Sequence, residues 1–361
     1  MSGAQPDVLH LTGPVLVGPD EVVGEAWVVG GRLTLSRPSG DTTTLPGWVL
    51  PGLVDAHCHV GLDAHGAVDR ATSEAQARTD RDAGALLLRD AGSAAATRWV
   101  DDRDDLPVLV RAGRHIARPR RYVRAFAEEV EPDELVAEVR RQAARGDGWV
   151  KLVGDWIDRD RGDLAPCWPA EVLVEAVAAA HEAGARVTAH VFGEEALGDL
   201  LAAGIDCLEH ATGLQDAAAL AARGVAVVPT LVNIATFPSI AAGGEAKFPT
   251  YAAHMRALHE RRYDTVRAAY EAGVPVYAGT DAGGSLAHGL VVDEVLELAQ
   301  VMPAVDALSA GCWAARQWLG RDGLSEGAQA DLLVVDGDPR ADLSVLRRPQ
   351  VVLRGHLLTG Q

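Results

Sequence analysis

The sequence predicts an α/β protein, a (β/α)8 TIM barrel with a smaller β-rich domain built from both ends of the chain. Apolar strand candidates in the middle of the chain alternate with Ala-rich stretches of helical spacing. Short β segments, separated by Gly, Pro and Asp, occur on both sides of this region. Continuously apolar strands joined by helices are typical of a buried parallel sheet, and eight such units over about 270 residues fit the barrel.

Residues 1–50 are predicted to supply one part of the small domain. Gly, Pro and Asp between its strand candidates favour hairpins over helices. Those candidates are VLV (15–17), AWVV (26–29) and RLTL (32–35). Residues 326–361 have the same character and are predicted to supply the other part. Their strand candidates are DLLVV (331–335) and VVLR (351–354).

Residues 51–325 are assigned to the barrel, whose active site would lie at the carboxyl ends of the strands. A doubly wound open sheet is the competing fold. Neither GxGxxG nor GxxxxGK[ST] follows a strand, which weakens a nucleotide-binding interpretation. The strand candidates lie near 49–54, 85–89, 107–112, 148–153, 186–190, 205–209, 225–229 and 274–280.

The composition argues against several classes of partner. The 361 residues carry a formal net charge of -18, with a pI near 5.0. Nucleic acids and anionic membranes attract a basic face, so neither partner is expected. No apolar run is long enough to span a bilayer, and MSGAQPDVLH at the start lacks the pattern of a secretory signal. Four scattered cysteines without CxxC spacing fit a reduced, cytoplasmic chain.

Lysine is scarce in this sequence, which makes Lys151 conspicuous. Lys151 and Lys247 are its two lysines. Lys151 lies inside the apolar segment GWVKLV, where an unpaired ammonium would be costly. A desolvated lysine near metal cations would be partly neutral, and a neutral amine can add CO2 to become a carbamate. The two carbamate oxygens could bridge two ions, which an arginine could not do.

Histidines and an aspartate follow several of the predicted strands. His57 and His59, two residues apart at the end of the first strand, point to the same face. His190, His210 and Asp281 end the fifth, sixth and eighth strands. Imidazole nitrogens and a carboxylate oxygen suit a pair of divalent ions, and zinc is the expected metal for a histidine-rich site.

In these residues and in the segments around them, the sequence resembles the amidohydrolase superfamily of metal-dependent hydrolases, in particular its prolidase and imidazolonepropionase-like branch. The resemblance covers most of the chain and implies the barrel fold with a small β-sandwich formed by both termini. The matching stretches are LPGLVDAHCH (50–59), LRDAG (88–92), WVKL (149–152), TAH (188–190), EHATG (209–213), PTL (229–231), AGTDAG (278–283) and GAQADLLV (327–334).

The resemblance implies two divalent metal ions, with zinc as the expected metal, and a metal-activated water as nucleophile. His57 and His59 would hold the more buried ion, and N6-carboxylated Lys151 would bridge the two. Asp281 would take the proton from the water and pass it to the leaving amine. The complete implied ligand set is His57, His59, Lys151, His190, His210 and Asp281.

The implied substrate is a small molecule with an amide or related C–N or C–O bond, best represented by a dipeptide or an N-acyl amino acid. Tyr122 and His115, in the loop after the third strand, are the candidate substrate contacts. Relatives often carry Gly-Gly-His near this point, whereas this chain has RRY at 120–122. The alternative is a solvated basic loop whose arginines pair with the acidic surface. Arg89 and Asp90 are expected to form an ion pair behind the site.

Two rival functions remain open. A mononuclear deaminase or cyclic-imine or lactam hydrolase would keep the fold, but such relatives generally lack the bridging lysine. Deaminases often show His-x-x-Glu after the fifth strand, and Glu194 lies one residue too far from His190. A non-catalytic scaffold is the other rival, and it is disfavoured because every ligand position is filled. The sequence leaves open whether the chain forms a homo-oligomer.

Overall fold

The computed structural model describes residues 8–358. The strands are β1 (Val8–Leu11), β2 (Val15–Leu16), β3 (Val22–Val23), β4 (Ala26–Val29), β5 (Arg32–Thr34), β6 (Thr43–Leu45), β7 (Trp48–Pro51), β8 (Leu53–Cys58), β9 (Leu62–Asp63), β10 (Gly66–Ala67), β11 (Ala85–Asp90), β12 (Val108–Arg111), β13 (Ile116–Ala117), β14 (Glu128–Glu129), β15 (Trp149–Val153), β16 (Asp155–Asp158), β17 (Asp163–Pro166), β18 (Arg186–Val191), β19 (Cys207–His210), β20 (Ala226–Val228), β21 (Leu332–Val335), β22 (Gln350–Leu353) and β23 (His356–Leu358). The α-helices are α1 (Arg70–Asp82), α2 (Leu135–Arg145), α3 (Ala170–Glu182), α4 (Glu195–Ala203), α5 (Ala217–Arg223), α6 (Leu231–Ile234), α7 (Phe237–Gly244), α8 (Pro249–Glu271), α9 (Val291–Leu298), α10 (Ala304–Ala310) and α11 (Trp313–Trp318).

Parallel strands joined by helices form the middle of the molecule, as the sequence predicts for an α/β fold. One sheet has the order β12-β11-β8, and another has the order β14-β13-β15-β18-β19-β20. All neighbours in both sheets are parallel. Every residue of β8, β11 and β15 is buried. Burial on both faces explains why these strands are largely continuous apolar runs in the sequence.

The segment after α8 connects the two parallel sheets without forming a regular strand. The backbone N–H of Val227 donates to the Pro275 carbonyl at 2.8 Å, and that of Ala56 donates to Ala278 at 2.8 Å. This segment therefore lies between β20 and β8, where the sequence predicts an eighth strand at 274–280. Because Pro275 has no N–H, one ladder donor is missing here.

Helices α3, α4 and α5 alternate with β15, β18, β19 and β20, and local chemistry sets their ends. The side chain of Asp216 accepts from the Ala219 N–H at 3.0 Å and caps the start of α5. Gly204 and Gly224 follow α4 and α5 with φ of 86° and 65°, in the left-handed region that favours glycine. These short connections keep successive strands adjacent.

Both ends of the described chain contribute to one further sheet, of order β23-β22-β21-β7-β2-β3. A second terminal sheet has the order β5-β4-β1-β6. Leu11 and Val28 from the second sheet share a hydrophobic cluster with Leu332 and Val352 from the first. The two β-rich ends of the described chain thus share a sheet and a hydrophobic cluster.

The first strand candidate, near 49–54, is wrong in its boundaries. The structure divides it between β7 (Trp48–Pro51), which belongs to a terminal sheet, and β8 (Leu53–Cys58), which belongs to the parallel sheet. Gly52 lies between them, and a Cβ there would come within 2.5 Å of the Leu86 side chain. An apolar run across a glycine thus conceals a change of sheet.

Three helices, α6, α7 and α8, follow β20. They pack beside the hairpin of β16 and β17. Leu164 of the hairpin, Phe237 of α7 and Met255 of α8 share one hydrophobic cluster. None of the helices within residues 8–358 is both long and apolar enough to cross a membrane. The first seven residues, which belong to the stretch examined for a secretory signal, lie outside the described part of the chain.

Candidate metal centre

His57 and His59, at the end of β8, converge on Asp281. Their Nε2 atoms lie 3.2 Å apart. One carboxylate oxygen of Asp281, Oδ1, lies 3.1 Å from Nε2 of His57 and 2.9 Å from Nε2 of His59. One potential ligand atom from each of the three residues lies within 4.8 Å of the others. Two imidazoles and a carboxylate are a donor set that suits a divalent transition metal.

A backbone carbonyl fixes the orientation of the His59 ring. Its Nδ1 lies 2.7 Å from the carbonyl oxygen of Gly92. Because a carbonyl can only accept, Nδ1 carries the proton and Nε2 presents a lone pair toward Asp281. Histidines that bind metals usually have such a second hydrogen bond.

Glu209 provides a buried negative charge behind His57. One of its oxygens, Oε2, lies 2.8 Å from Nδ1 of His57, although the angles are outside the hydrogen-bonding range. The other, Oε1, accepts from Arg89 at 2.5 Å and from the hydroxyl of Thr188. Burial acts to raise the pKa of Glu209, but Arg89 and His57 hold it well below its usual value, so the side chain is a carboxylate.

The expected ion pair between Arg89 and Asp90 is therefore wrong, because Arg89 points to Glu209. Its Nε also donates to the Ala56 carbonyl at 2.7 Å, and its guanidinium lies 4.6 Å from the ring centre of Trp149. Glu209 is the residue that the sequence interpretation missed. Its only signal was its position next to His210, in the stretch EHATG.

Lys151, on β15, is fully buried, and its Nζ has no hydrogen-bond partner within residues 8–358. Burial lowers the pKa of this amine, although the charges of Glu209 and Asp281 oppose that effect. A lowered pKa increases the neutral fraction of the amine. An unpartnered buried nitrogen is unusual in a folded protein and indicates a functional group or an absent ligand.

His190 and His210 lie at the ends of β18 and β19. Their ring centres are 4.8 Å apart, and the ring centre of His210 is 5.2 Å from that of His57. Nδ1 of His210 lies 2.7 Å from the Thr230 hydroxyl, whereas both ring nitrogens of His190 are buried without a partner among the described residues. Burial lowers the pKa of His190 well below its usual value and that of His210 to about 3. Both rings are therefore neutral and able to act as ligands.

Three residues of the site have a left-handed backbone. His210, Thr230 and Asp281 have φ of 68°, 51° and 61°. This region is uncommon for residues other than glycine, and such conformations cluster at functional sites. The surrounding contacts hold the backbone of all three residues in this conformation.

The two predicted substrate contacts lie beside the centre, Tyr122 next to His190 and His115 next to His59. The Tyr122 ring centre is 5.4 Å from that of His190 and 4.8 Å from that of Trp156. Burial raises the pKa of Tyr122 well above its usual value, so its hydroxyl retains its proton. His115 is buried next to His59, with ring centres 4.9 Å apart and both nitrogens unpartnered in the described chain.

The loop that carries Tyr122 is tied down by arginine. Arg121 lies 3.0 Å from a carboxylate oxygen of Asp158 and donates to the Ala165 carbonyl at 2.8 Å. These contacts link the loop to the β16–β17 hairpin. The contact between Arg121 and Asp158 is of the kind expected by the alternative in which this basic loop pairs with acidic groups.

Asn233, which the sequence interpretation also missed, holds the second oxygen of Asp281. Its side-chain Nδ2 donates to Oδ2 at 2.6 Å. Asn233 is buried and lies on α6, three residues after Thr230. Together, the two residues connect α6 to Asp281 and to His210.

Comparisons with known proteins agree with this geometry. The amidohydrolase family profile matches residues 48–357. An uncharacterized protein of Mycobacterium tuberculosis is 56% identical over 353 residues, which cover 96% of this chain and 95% of that protein. Ochratoxinase of Aspergillus niger is 26% identical over 230 residues, covering 61% of this chain and 47% of that enzyme.

Solved structures show the same fold. A Xaa-Pro dipeptidase superposes with a TM-score of 0.80 at 23% identity, covering 98% of this chain and 100% of that one. The A. niger ochratoxinase structure also has a TM-score of 0.80, at 20% identity, covering 98% of this chain and 96% of that one. Since the family profile spans most of the sequence, this chain belongs to the amidohydrolase family and is a hydrolase.

Proposed function

We propose that this hydrolase is a metal-dependent enzyme that cleaves the amide or a related C–N or C–O bond of a dipeptide or an N-acyl amino acid. The observation that carries the proposal is the convergence of His57, His59 and Asp281 beside buried, unpartnered nitrogens of Lys151 and His190. Unpartnered buried nitrogens are explained if they bind an ion or are chemically modified.

The side chains present fit a pair of divalent ions. His57, His59 and Asp281 would hold one, and His190 and His210 would hold the other. Zinc is the expected metal for this donor set. Bound ions of this kind lower the pKa of water and polarise a carbonyl oxygen.

We propose that Lys151 is carboxylated and shared between the ions. Its neutral amine would attack the carbon of CO2, so that a C–N bond forms while one C=O π bond breaks and leaves its electron pair on oxygen, and the nitrogen would then lose one proton to solvent. The resulting carbamate is an anion with oxygen donors, whereas an ammonium has no lone pair to give. The burial that lowers the pKa of Lys151 favours the neutral amine that this reaction needs.

Asp281 is proposed as the catalytic base and then the acid. Its carboxylate would accept a proton from the attacking water and return it to the leaving nitrogen. Tyr122 would donate its hydroxyl hydrogen bond to the substrate, and Trp156 would contact an apolar portion next to it. His115 lies behind Tyr122, with ring centres 5.1 Å apart, and would support the contact.

For the architecture, we propose that the parallel sheets join into a (β/α)8 barrel over residues 51–325. Residues 1–50 and 326–361 would form a β-sandwich, which the hydrophobic cluster shared by the two terminal sheets supports. The cysteines within residues 8–358 are free and buried, consistent with a proposed cytoplasmic location.

The deciding experiment is the metal content of protein purified without chelator and with bicarbonate present. About two ions per chain supports the binuclear hydrolase and justifies a panel of dipeptides, N-acyl amino acids and lactones. About one ion favours the mononuclear deaminase or cyclic-imine hydrolase instead. No ion, even after zinc or manganese is added, contradicts metal-dependent catalysis and favours the scaffold.

A further inference from the structure

Glu294 carries a fully buried carboxyl group that lies outside the centre. It is on α9, and its two oxygens accept the backbone N–H groups of Leu231 and Val232, each at 2.9 Å. A buried polar group is costly unless it is hydrogen-bonded, so these contacts hold the three residues together. The connection joins segments that are more than sixty residues apart in sequence.

The two N–H groups belong to the first turn of α6 (Leu231–Ile234). Such groups have no partner inside their own helix. A single turn has almost no intrinsic stability in water, so its position depends on contacts from outside. Glu294 supplies one such contact to each of the first two residues.

Helix α6 contacts the centre on two sides. The hydroxyl of Thr230, the residue immediately before α6, lies 2.7 Å from Nδ1 of His210. Asn233, within it, donates to Asp281 at 2.6 Å. A displacement of this one turn would therefore move the partners of two proposed ligands together.

We propose that Glu294 is a positioning residue for the metal centre, which it orders by fixing the start of α6 and hence Thr230 on His210 and Asn233 on Asp281. The inference rests on the proposed function, because it needs His210 and Asp281 to bind metal. Glutamine would keep the size of Glu294 but would present an amide N–H to one of the two backbone donors. One of the two hydrogen bonds to the start of α6 would be lost, and two N–H groups would face each other in its place.

The test compares Glu294→Gln with Glu297→Gln, a matched control on the same helix. The Glu297 carboxylate accepts from the hydroxyl of Tyr263 and has no hydrogen bond with α6. Co2+ is titrated into the metal-free chain and followed by its visible absorption. We expect Glu294→Gln to weaken Co2+ binding about 10–100-fold, the usual effect of losing an outer contact to a ligand, and Glu297→Gln to change it less than about twofold.

A double-variant cycle tests the route through α6. If Glu294 acts through Asn233, the Glu294→Gln/Asn233→Ala variant binds Co2+ less weakly than the product of the two single effects predicts. If the weakening of Co2+ binding in the double variant equals the product of the two single effects, the proposal is overturned. A Glu294→Gln variant that behaves like Glu297→Gln would also overturn it. With a substrate from the panel, Glu294→Gln should lower kcat more than it changes KM.

Should Glu294→Gln fail to fold, Glu294→Asp serves in its place, because it keeps both acceptors on a shorter side chain. Weaker Co2+ binding by a folded Glu294→Asp protein supports the proposal, and unchanged binding overturns it. Failure of the wild-type chain to bind Co2+ would contradict the proposed function itself. Normal wild-type binding with an unaffected Glu294 variant would contradict only the positioning role.

Discussion

The two halves of the candidate metal centre differ in how far protein contacts already engage their nitrogen atoms. His57 and His59 converge on one oxygen of Asp281, and Nδ1 of His59 donates to a carbonyl. The second half leaves more nitrogens without a partner: Nζ of Lys151 and both ring nitrogens of His190 have no hydrogen-bond partner in residues 8–358, compared with Nδ1 of His57 in the first half. The protein alone brings the side chains of the first half together, whereas it leaves more of the interactions of the second half incomplete.

This difference affects the stability of the metal-free chain as well as the geometry of the centre. A buried polar group without a partner costs about 1–3 kcal/mol, so the second half lowers the stability of the metal-free chain. Ions and a carbamate would recover that free energy, and they would change the second half more than the first. The predictions that follow test this asymmetry.

The largest expected effect is that of Lys151→Arg in the second half. A guanidinium cannot form the carbamate, so we expect the variant to lose one ion and about a thousandfold in kcat, comparable to the loss of a main electrostatic group. Metal analysis and turnover check this. Lys247→Arg, at an exposed position, is the matched control and should behave like wild type. Retained activity in Lys151→Arg would contradict the carbamate.

In the first half, Asp281→Asn should separate metal binding from proton transfer. The amide keeps one oxygen acceptor but cannot serve as a base, so part of the metal should remain while kcat falls about 10²–10⁴-fold. Metal analysis alongside single-turnover kinetics measures both. Wild-type turnover in this variant would remove Asp281 from the proposed proton transfer.

A smaller effect is expected at the aromatic wall beside the second half. Trp156→Ala removes a ring whose centre lies 5.3 Å from that of His190. We expect KM for substrates with an apolar side chain to rise about tenfold, the scale of one buried apolar contact in a pocket. Trp99→Ala is the control, because it also removes an indole ring, but one that contacts Arg70. An equal change for small and large substrates would show that Trp156 does not contact the side chain.

The smallest expected effect concerns His288, whose charge contrasts with the neutral rings of the centre. Burial acts to lower its pKa, but the hydrogen bond and charge of Asp80, 2.7 Å away, together with Asp55 and Asp90, raise it above 6.5. A raised pKa means that the protonated form stabilises the fold. This contribution is complete below about pH 6.5 and is lost as pH rises through the folded-state pKa.

Denaturant unfolding of His288→Asn across this pH range measures the contribution of His288. We expect the wild-type advantage to be about 1 kcal/mol at low pH and to shrink as the pH rises. An advantage that is the same at every pH would show that His288 contributes through packing alone.

The proposed ligands could be predicted from sequence because each follows an apolar strand, and the ends of parallel strands meet at one edge. The supporting contacts could not. Glu209 meets Arg89 across 120 residues, and Asn233 meets Asp281 across 48. Glu294 looks like any polar residue of an amphipathic helix until α6 is placed against it. Nothing local in the sequence marks such pairs, because folding alone makes them neighbours.

The mixed terminal sheet has a consequence for the order in which the molecule is made. β21 pairs with β7, and β7 leads through Gly52 into β8, which carries His57. Until β21 has been synthesised, that edge of β7 presents unpaired N–H and C=O groups, which favour association with other chains. Nearly the whole chain must therefore be synthesised before this edge of β7, which leads to the first proposed ligands, is paired. We expect chaperones to protect the unfinished chain until then.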